Sequence, residues 1–176
     1  LQDITTSIKK FHERGIRIHG MFVLGSDEDD VTIIRETARF AKRLKIDTVQ
    51  FLILTPLPGS KIFEEFDREK KIFTYDWQFY DGHHVVFKPS KMIPIMLQKE
   101  AIHAMKKFFS RAQMVKGFFR GDLRGVVVKG YAHRLIKRWE RFNKDFNYKL
   151  RNELYEDLNT RISDIAKKLK HSRVWD

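Results

Sequence analysis

The sequence predicts an α/β fold with a parallel sheet, and three observations carry that prediction. Two β-rich runs, Ile16–Leu24 and Thr48–Thr55, flank a helical stripe, so strand, helix and strand fit within 40 residues. Parallel strands need a crossover of that kind, and such crossovers are right-handed. A helical pattern also precedes the first strand: Leu1, Ile4, Ile8 and Phe11 recur at three- and four-residue spacing. From about position 90 onward helical periodicity dominates. The arrangement is that of the late part of an α/β sheet or barrel.

Each element has its own signals. Gly15 stands where a helix ends as a C′ residue. Along Ile16–Leu24, Ile16, Ile18, Phe22 and Leu24 fall on one side and Arg17, His19, Met21 and Val23 on the other. Gly25 breaks the strand. Ser26 and Asp29 have capping-box spacing, and the acids Asp27, Glu28, Asp29 and Asp30 suit the positive end of a helix. Val31, Ile34, Ala38, Ala41 and Leu44 then predict a buried stripe to about Lys45. The second strand stops at Pro56-Leu57-Pro58-Gly59-Ser60, where prolines remove ladder donors, and a helix follows over Lys61–Lys70.

The second half changes texture. Residues 1–90 carry acids and bases in equal number, so the whole net charge of +12 falls in residues 91–176. Two domains are expected, 1–90 and a basic helical extension over 91–176. Pro94 suits a first helical turn, and Leu97, Ala101, Ala104, Met105 and Phe108 continue a helix to about Met114. Gly117, Gly121 and Gly125, at four-residue spacing, fit either a close helix contact or a loop, and a helix is the reading adopted. Leu135, Trp139, Phe142, Phe146, Leu150, Leu154, Leu158, Ile162, Ile165 and Leu169 predict one or two amphipathic helices, with breaks available at Asn143 and Asn147.

Composition excludes several classes. Fifteen Phe, three Trp and five Tyr are too much aromatic mass for a disordered chain. No apolar run approaches the roughly 18 residues of a membrane span, and a cytoplasmic location is expected. With no cysteine there is no disulfide, thiolate zinc or iron–sulfur site in these residues. Adjacent His83 and His84 point to opposite faces of an extended chain and do not chelate one ion in the usual way. Phe73, Tyr75, Trp77, Phe79 and Tyr80 either line a substrate pocket or form core beneath a covering segment.

The string Gly15–Asp30, the Ala-Lys-Arg-Leu helix end and Phe51–Ser60 together resemble radical S-adenosylmethionine enzymes, closest to the group that carries a cobalamin-binding domain upstream. The resemblance covers roughly residues 5–90. It implies the last strands of a partial (β/α)6 TIM-like barrel. It also implies Gly25 and Glu28 as a Gly-x-x-Glu motif beside the adenosyl group, Val23 against adenine, and Thr55–Ser60 as the terminal turn. Cofactor contacts are therefore expected from Val23, Gly25, Glu28, Leu54 and Thr55. Arg17, His19 and Gln50 mark the same strand faces as interior, since a charged side needs water, cofactor or substrate. A 4Fe-4S cluster, and a cobalamin, would belong to a parent polypeptide supplying the missing N-terminal part; the chain alone is expected to be inactive. The alternative is a basic helical module for nucleic acid or an anionic membrane surface. A small-molecule substrate and self-association through the free strand edge complete the expectations.

Overall fold

The computed structural model describes residues 2–119 and 121–152. Chain contacts divide the protein into two compact units, Leu1–Trp139 and Glu140–Asp176. The first holds helix α1 (Gln2–Glu13), strand β1 (His19–Leu24), helix α2 (Val31–Arg43), strand β2 (Thr48–Ile53) and helix α3 (Lys61–Arg68). Helices α4 (Pro94–Phe108), α5 (Arg111–Phe119) and most of α6 (Leu123–Phe142) follow. In the second unit the chain turns at Asn143 and is helical over 144–152. The stripe from Leu154 to Leu169 lies outside the described residues.

β1 and β2 pair in parallel, from His19 beside Thr48 to Leu24 beside Ile53. No barrel is formed among the described residues: the sheet has two strands, which corrects the expectation of a partial TIM-like barrel to a small parallel α/β sheet with helices. One face is covered. Leu24, Val49, Phe51 and Ile53 are buried there with Ile34, Ala38 and Ala41 of α2 and Leu97, Ala101, Ala104 and Phe108 of α4. The Phe51 ring stacks on Phe22 at 5.4 Å and meets Phe108 edge-on at 6.5 Å. The small alanines let helix backbones approach the sheet while the rings fill the space between.

Several boundaries differ from the sequence reading. β1 begins at His19 rather than Ile16, because Ile18 N–H and C=O are spent on Asp47 and Thr48 at the start of β2. The cap of α2 is Asp30, whose carboxylate accepts from Ile33 N–H at 2.8 Å. Ser26 and Asp29 close a turn instead. Helix α4 stops at Phe108, well before Met114. Gly121, at φ +73°, splits the glycine segment into two helices. On α6 the buried positions are Gly125 and Ile136, while Leu135 faces outward. Arg17 is an ion-pair partner of Asp122 at 2.7 Å.

Between α3 and α4 the chain folds back on itself through a short antiparallel contact of Ile72 with Phe87. Gln98 of α4 fixes this segment. Its side chain is fully buried; Oε1 accepts from Val85 N–H at 2.9 Å and Nε2 donates to His83 C=O at 2.7 Å. One amide thus satisfies two backbone groups that have no sheet partner there. Replacing it with an apolar residue of similar length strands both groups, at about 1–3 kcal/mol for each unsatisfied group. Gln98→Met is therefore expected to lower the stability by about 2–6 kcal/mol, read as a lower urea midpoint at unchanged slope. An unchanged midpoint would refute the assignment.

Candidate functional site

The C-terminal ends of both strands lie side by side: Leu54 N–H donates to Leu24 C=O at 2.8 Å. From this end β1 leads into the acidic loop and β2 into the Pro56–Ser60 turn. Strand C-termini are where parallel α/β proteins build sites.

The chain leaves β1 through Gly25 at φ +98°. A Cβ at this position would lie 2.6 Å from Leu97 Cδ2 and 3.3 Å from Phe87 Cζ. Glycine is required twice over, by the backbone conformation and by the closeness of α4.

The four consecutive acids do four different things. Asp29 Oδ2 accepts from Gly25 N–H at 2.8 Å and Ser26 N–H at 3.1 Å, closing the turn. Asp30 caps α2. Asp27 accepts from Ser90 Oγ at 2.6 Å and from Lys71 Nζ at 3.3 Å. Glu28 points outward and pairs with Lys91. The Ser90 hydroxyl, more than the Lys71 ammonium, holds the Asp27 carboxyl below its ordinary value, against a smaller opposing effect of burial. Lys71 also binds Glu69 at 2.8 Å and lies 5.0 Å over the Phe66 ring. The Glu69 hydrogen bond is the main reason that its pKa is raised.

At the end of β2, Thr55 Oγ1 donates back to Ile53 C=O at 3.0 Å, and Pro56 is fully buried. Ser60 then caps α3, accepting from Phe63 N–H at 3.3 Å. The sheet face away from the helices is uncovered. Met21 and Val23 are 63% and 58% exposed, and Leu52 and Gln50 beside them are half-buried. At its other end His19 Nδ1 lies 2.7 Å from Thr48 Oγ1. An apolar strip with polar groups at one end and a loop of backbone turns at the other can receive a planar ring carrying a polar tail.

Of the expected site residues, Val23 lies on this open face. Leu54 and Thr55 are half-buried at the strand end next to Leu24, and Gly25 is buried beneath Leu97. Glu28 is turned out to Lys91. The sequence reading missed Asp27, Lys71 and Ser90 as a connected group. The four-acid run was its signal, read there as a single patch of helix-dipole charge.

No family model matches the chain. It is similar to three curated methyltransferases. It is 28% identical over 116 residues to bacteriochlorophyllide d C-12(1)-methyltransferase of Chlorobaculum tepidum, covering 66% of this chain and 25% of that protein. It is 27% identical over 136 residues to an uncharacterized methyltransferase of Pyrococcus horikoshii, covering 77% and 28%. It is 26% identical over 103 residues to bacteriochlorophyllide d C-8(2)-methyltransferase of Chlorobaculum tepidum, covering 58% and 23%. The chain therefore spans about a quarter of the length of the relatives it matches. These methyltransferase names correct the expectation of a radical, iron–sulfur and cobalamin-associated enzyme fragment. The basic nucleic-acid or membrane module gains no support from them either. No helix among the described residues is long and apolar enough to cross a membrane.

Two predictions follow from the loop geometry. Gly25→Ala combines a left-handed backbone penalty with overpacking against Leu97, about 2–5 kcal/mol in total. In a Leu97→Ala background the 2.6 Å contact is gone and only the lighter approach to Phe87 remains, so the same substitution is expected to cost about 1–3 kcal/mol by chemical denaturation. Equal costs in both backgrounds would exclude the contact.

Asp27 has a folded pKa below its unfolded one, so its contribution is present above the unfolded value and is lost as pH falls through the folded one. Asp27→Asn is thus expected to lower Tm by a constant amount between about pH 5 and 8, with the gap to wild type closing below about pH 4. A gap that widens in acid would contradict the pairing.

Proposed function

We propose that the chain serves S-adenosylmethionine-dependent methyl transfer, with the open sheet face and the loop after β1 forming part of the donor site. The observation that carries this reading is the similarity to three methyltransferases over 58–77% of the chain. The residues present suit the donor in kind. Exposed Met21 and Val23 beside Leu52 offer apolar surface for adenine, and the outward carboxylate of Glu28 offers an acceptor for ribose hydroxyls or the ammonium group. Leu54 and Thr55 shape the strand-end floor, and Gly25 draws the end of β1 against Leu97 of α4 behind it.

When bound, the donor supplies a sulfonium methyl carbon open to attack. The chain's own residues orient it and exclude water from one side. Two of the relatives act on bacteriochlorophyllide by name, and a planar conjugated small molecule is the acceptor class this reading adopts.

Isothermal titration of the full chain with S-adenosylmethionine tests the donor site. One-to-one binding, competed by S-adenosylhomocysteine, is expected. Val23→Asp places a charge where adenine would rest and is expected to weaken binding at least about tenfold, since an unpaired charge against an apolar ring is costly. Val23 is exposed, so the fold should survive the change. Absence of binding, or equal binding by the variant, would overturn the reading.

A further inference from the structure

The segment that follows α3 carries aromatic side chains that the donor site does not use. A single 3-10 turn, Trp77–Phe79, is capped by Asp76. Trp77 is 56% exposed and Tyr75 51% exposed. Both are held in place. Trp77 is 4.8 Å from the Tyr80 ring, and 6.4 Å from Phe63 of α3 and from Tyr75. Tyr80 Oη donates to Thr74 C=O at 2.8 Å, and Tyr75 Oη donates to Asp67. The Asp67 hydrogen bond is the main reason that the Tyr75 pKa is raised, so the phenol stays neutral.

The position of this cluster matters as much as its exposure. Gly82 C=O accepts from Ile53 N–H at 2.7 Å, and a Cβ on Gly82 would sit 3.4 Å from Leu52 Cδ2. The chain that carries the aromatics therefore reaches the β2 edge, beside Leu52 of the open sheet face, at Gly82, two residues after Tyr80. Phe63 joins the cluster to the helix that starts just beyond the Thr55–Ser60 turn.

We propose that Trp77 and Tyr75 form a stacking platform for the planar conjugated ring of the methyl acceptor. This rests on the methyl-transfer reading and adds to it the surface that recognises the acceptor. The two rings stand at 79° to each other. A flat ring stacked on one meets the edge of the other, so both favoured aromatic geometries are available together. An aliphatic chain or a rounded apolar group gains contact area there but not this pairing. The phenol hydroxyls already have partners, so the platform selects for a π-face rather than for a hydrogen-bonding pattern. Because the rings are fixed before binding, little side-chain freedom is lost.

The test is titration of the full chain with a tetracarboxylated porphyrin, without S-adenosylmethionine, followed by the shift of its Soret band. The titration is run at about 0.5 M salt to screen attraction between the anionic probe and the basic chain. Saturable one-to-one binding is expected. Trp77→Leu keeps apolar bulk and loses the π-face, and is expected to weaken binding about tenfold, while Trp77→Phe stays within about threefold. Circular dichroism melting checks that the variants fold, and Tyr75→Leu, expected to weaken binding about fivefold, serves if Trp77→Leu does not. Equal affinity in folded Trp77→Leu, loss of binding at high salt, or displacement by adamantanecarboxylate would overturn the proposal. Trp77-dependent porphyrin binding by a chain that shows no heat with S-adenosylmethionine would count against the donor site alone.

Discussion

The contact of Gly25 with Leu97 sets the geometry on which the rest of this small fold depends. It brings the end of β1 directly against α4, leaving no room for a side chain between them. Because α4 also packs on α2 and β2, that closeness fixes how far the sheet lies from both helices. The covered face is thereby packed with Phe51, Phe108 and Leu97, and the opposite face is left with Met21 and Val23 outward. A two-stranded sheet has little stability by itself. The helices and their buried rings stabilise it, and the sheet in turn presents its strand ends to the loops.

Those loops are held by polar contacts of long sequence separation. Asp27 reaches Ser90 and Lys71, Glu28 reaches Lys91, and Arg17 reaches Asp122. Each pair is at least partly exposed and contributes modestly. The contacts of Asp27 and Glu28 fix the direction of the loop after β1, and Arg17–Asp122 ties the stretch before β1 to the residue that precedes α6. The buried Gln98 does the same for the segment at 83–85 by replacing missing ladder partners with its own amide.

The sheet-forming runs and α2 were legible because apolar periodicity is a local property. Alternation along Ile16–Leu24 and the stripe Ile34, Ala38, Ala41 depend only on neighbours. Boundaries were less legible. The spacing Ser26–Asp29 suits a capping box, yet the left-handed turn at Gly25 spends Asp29 on the backbone of Gly25 and Ser26, so the cap moves to Asp30. Within the candidate site, the placement of Val23 on the side of Met21 followed from strand alternation. The outward turn of Glu28 did not, since its partner Lys91 lies 63 positions away and nothing local announces it. The wider architecture was misjudged for a related reason: a helix–strand–helix–strand order is shared by small sheets and barrels alike, and sequence motifs at strand ends do not count strands.

The long-range partners of the loop after β1 come later in the chain, at Lys71, Phe87, Ser90, Lys91 and Leu97. During synthesis the N-terminal part emerges first. β1, α2 and β2 therefore reach solution while the loop has only its own turn through Asp29 and none of the later contacts of Gly25 and Asp27. The loop gains its final shape only when α4 arrives and docks. Maturation of the strand-end surface is thus the late event in assembly, and a nascent chain stopped before α4 would carry the sheet sequence without its working loop.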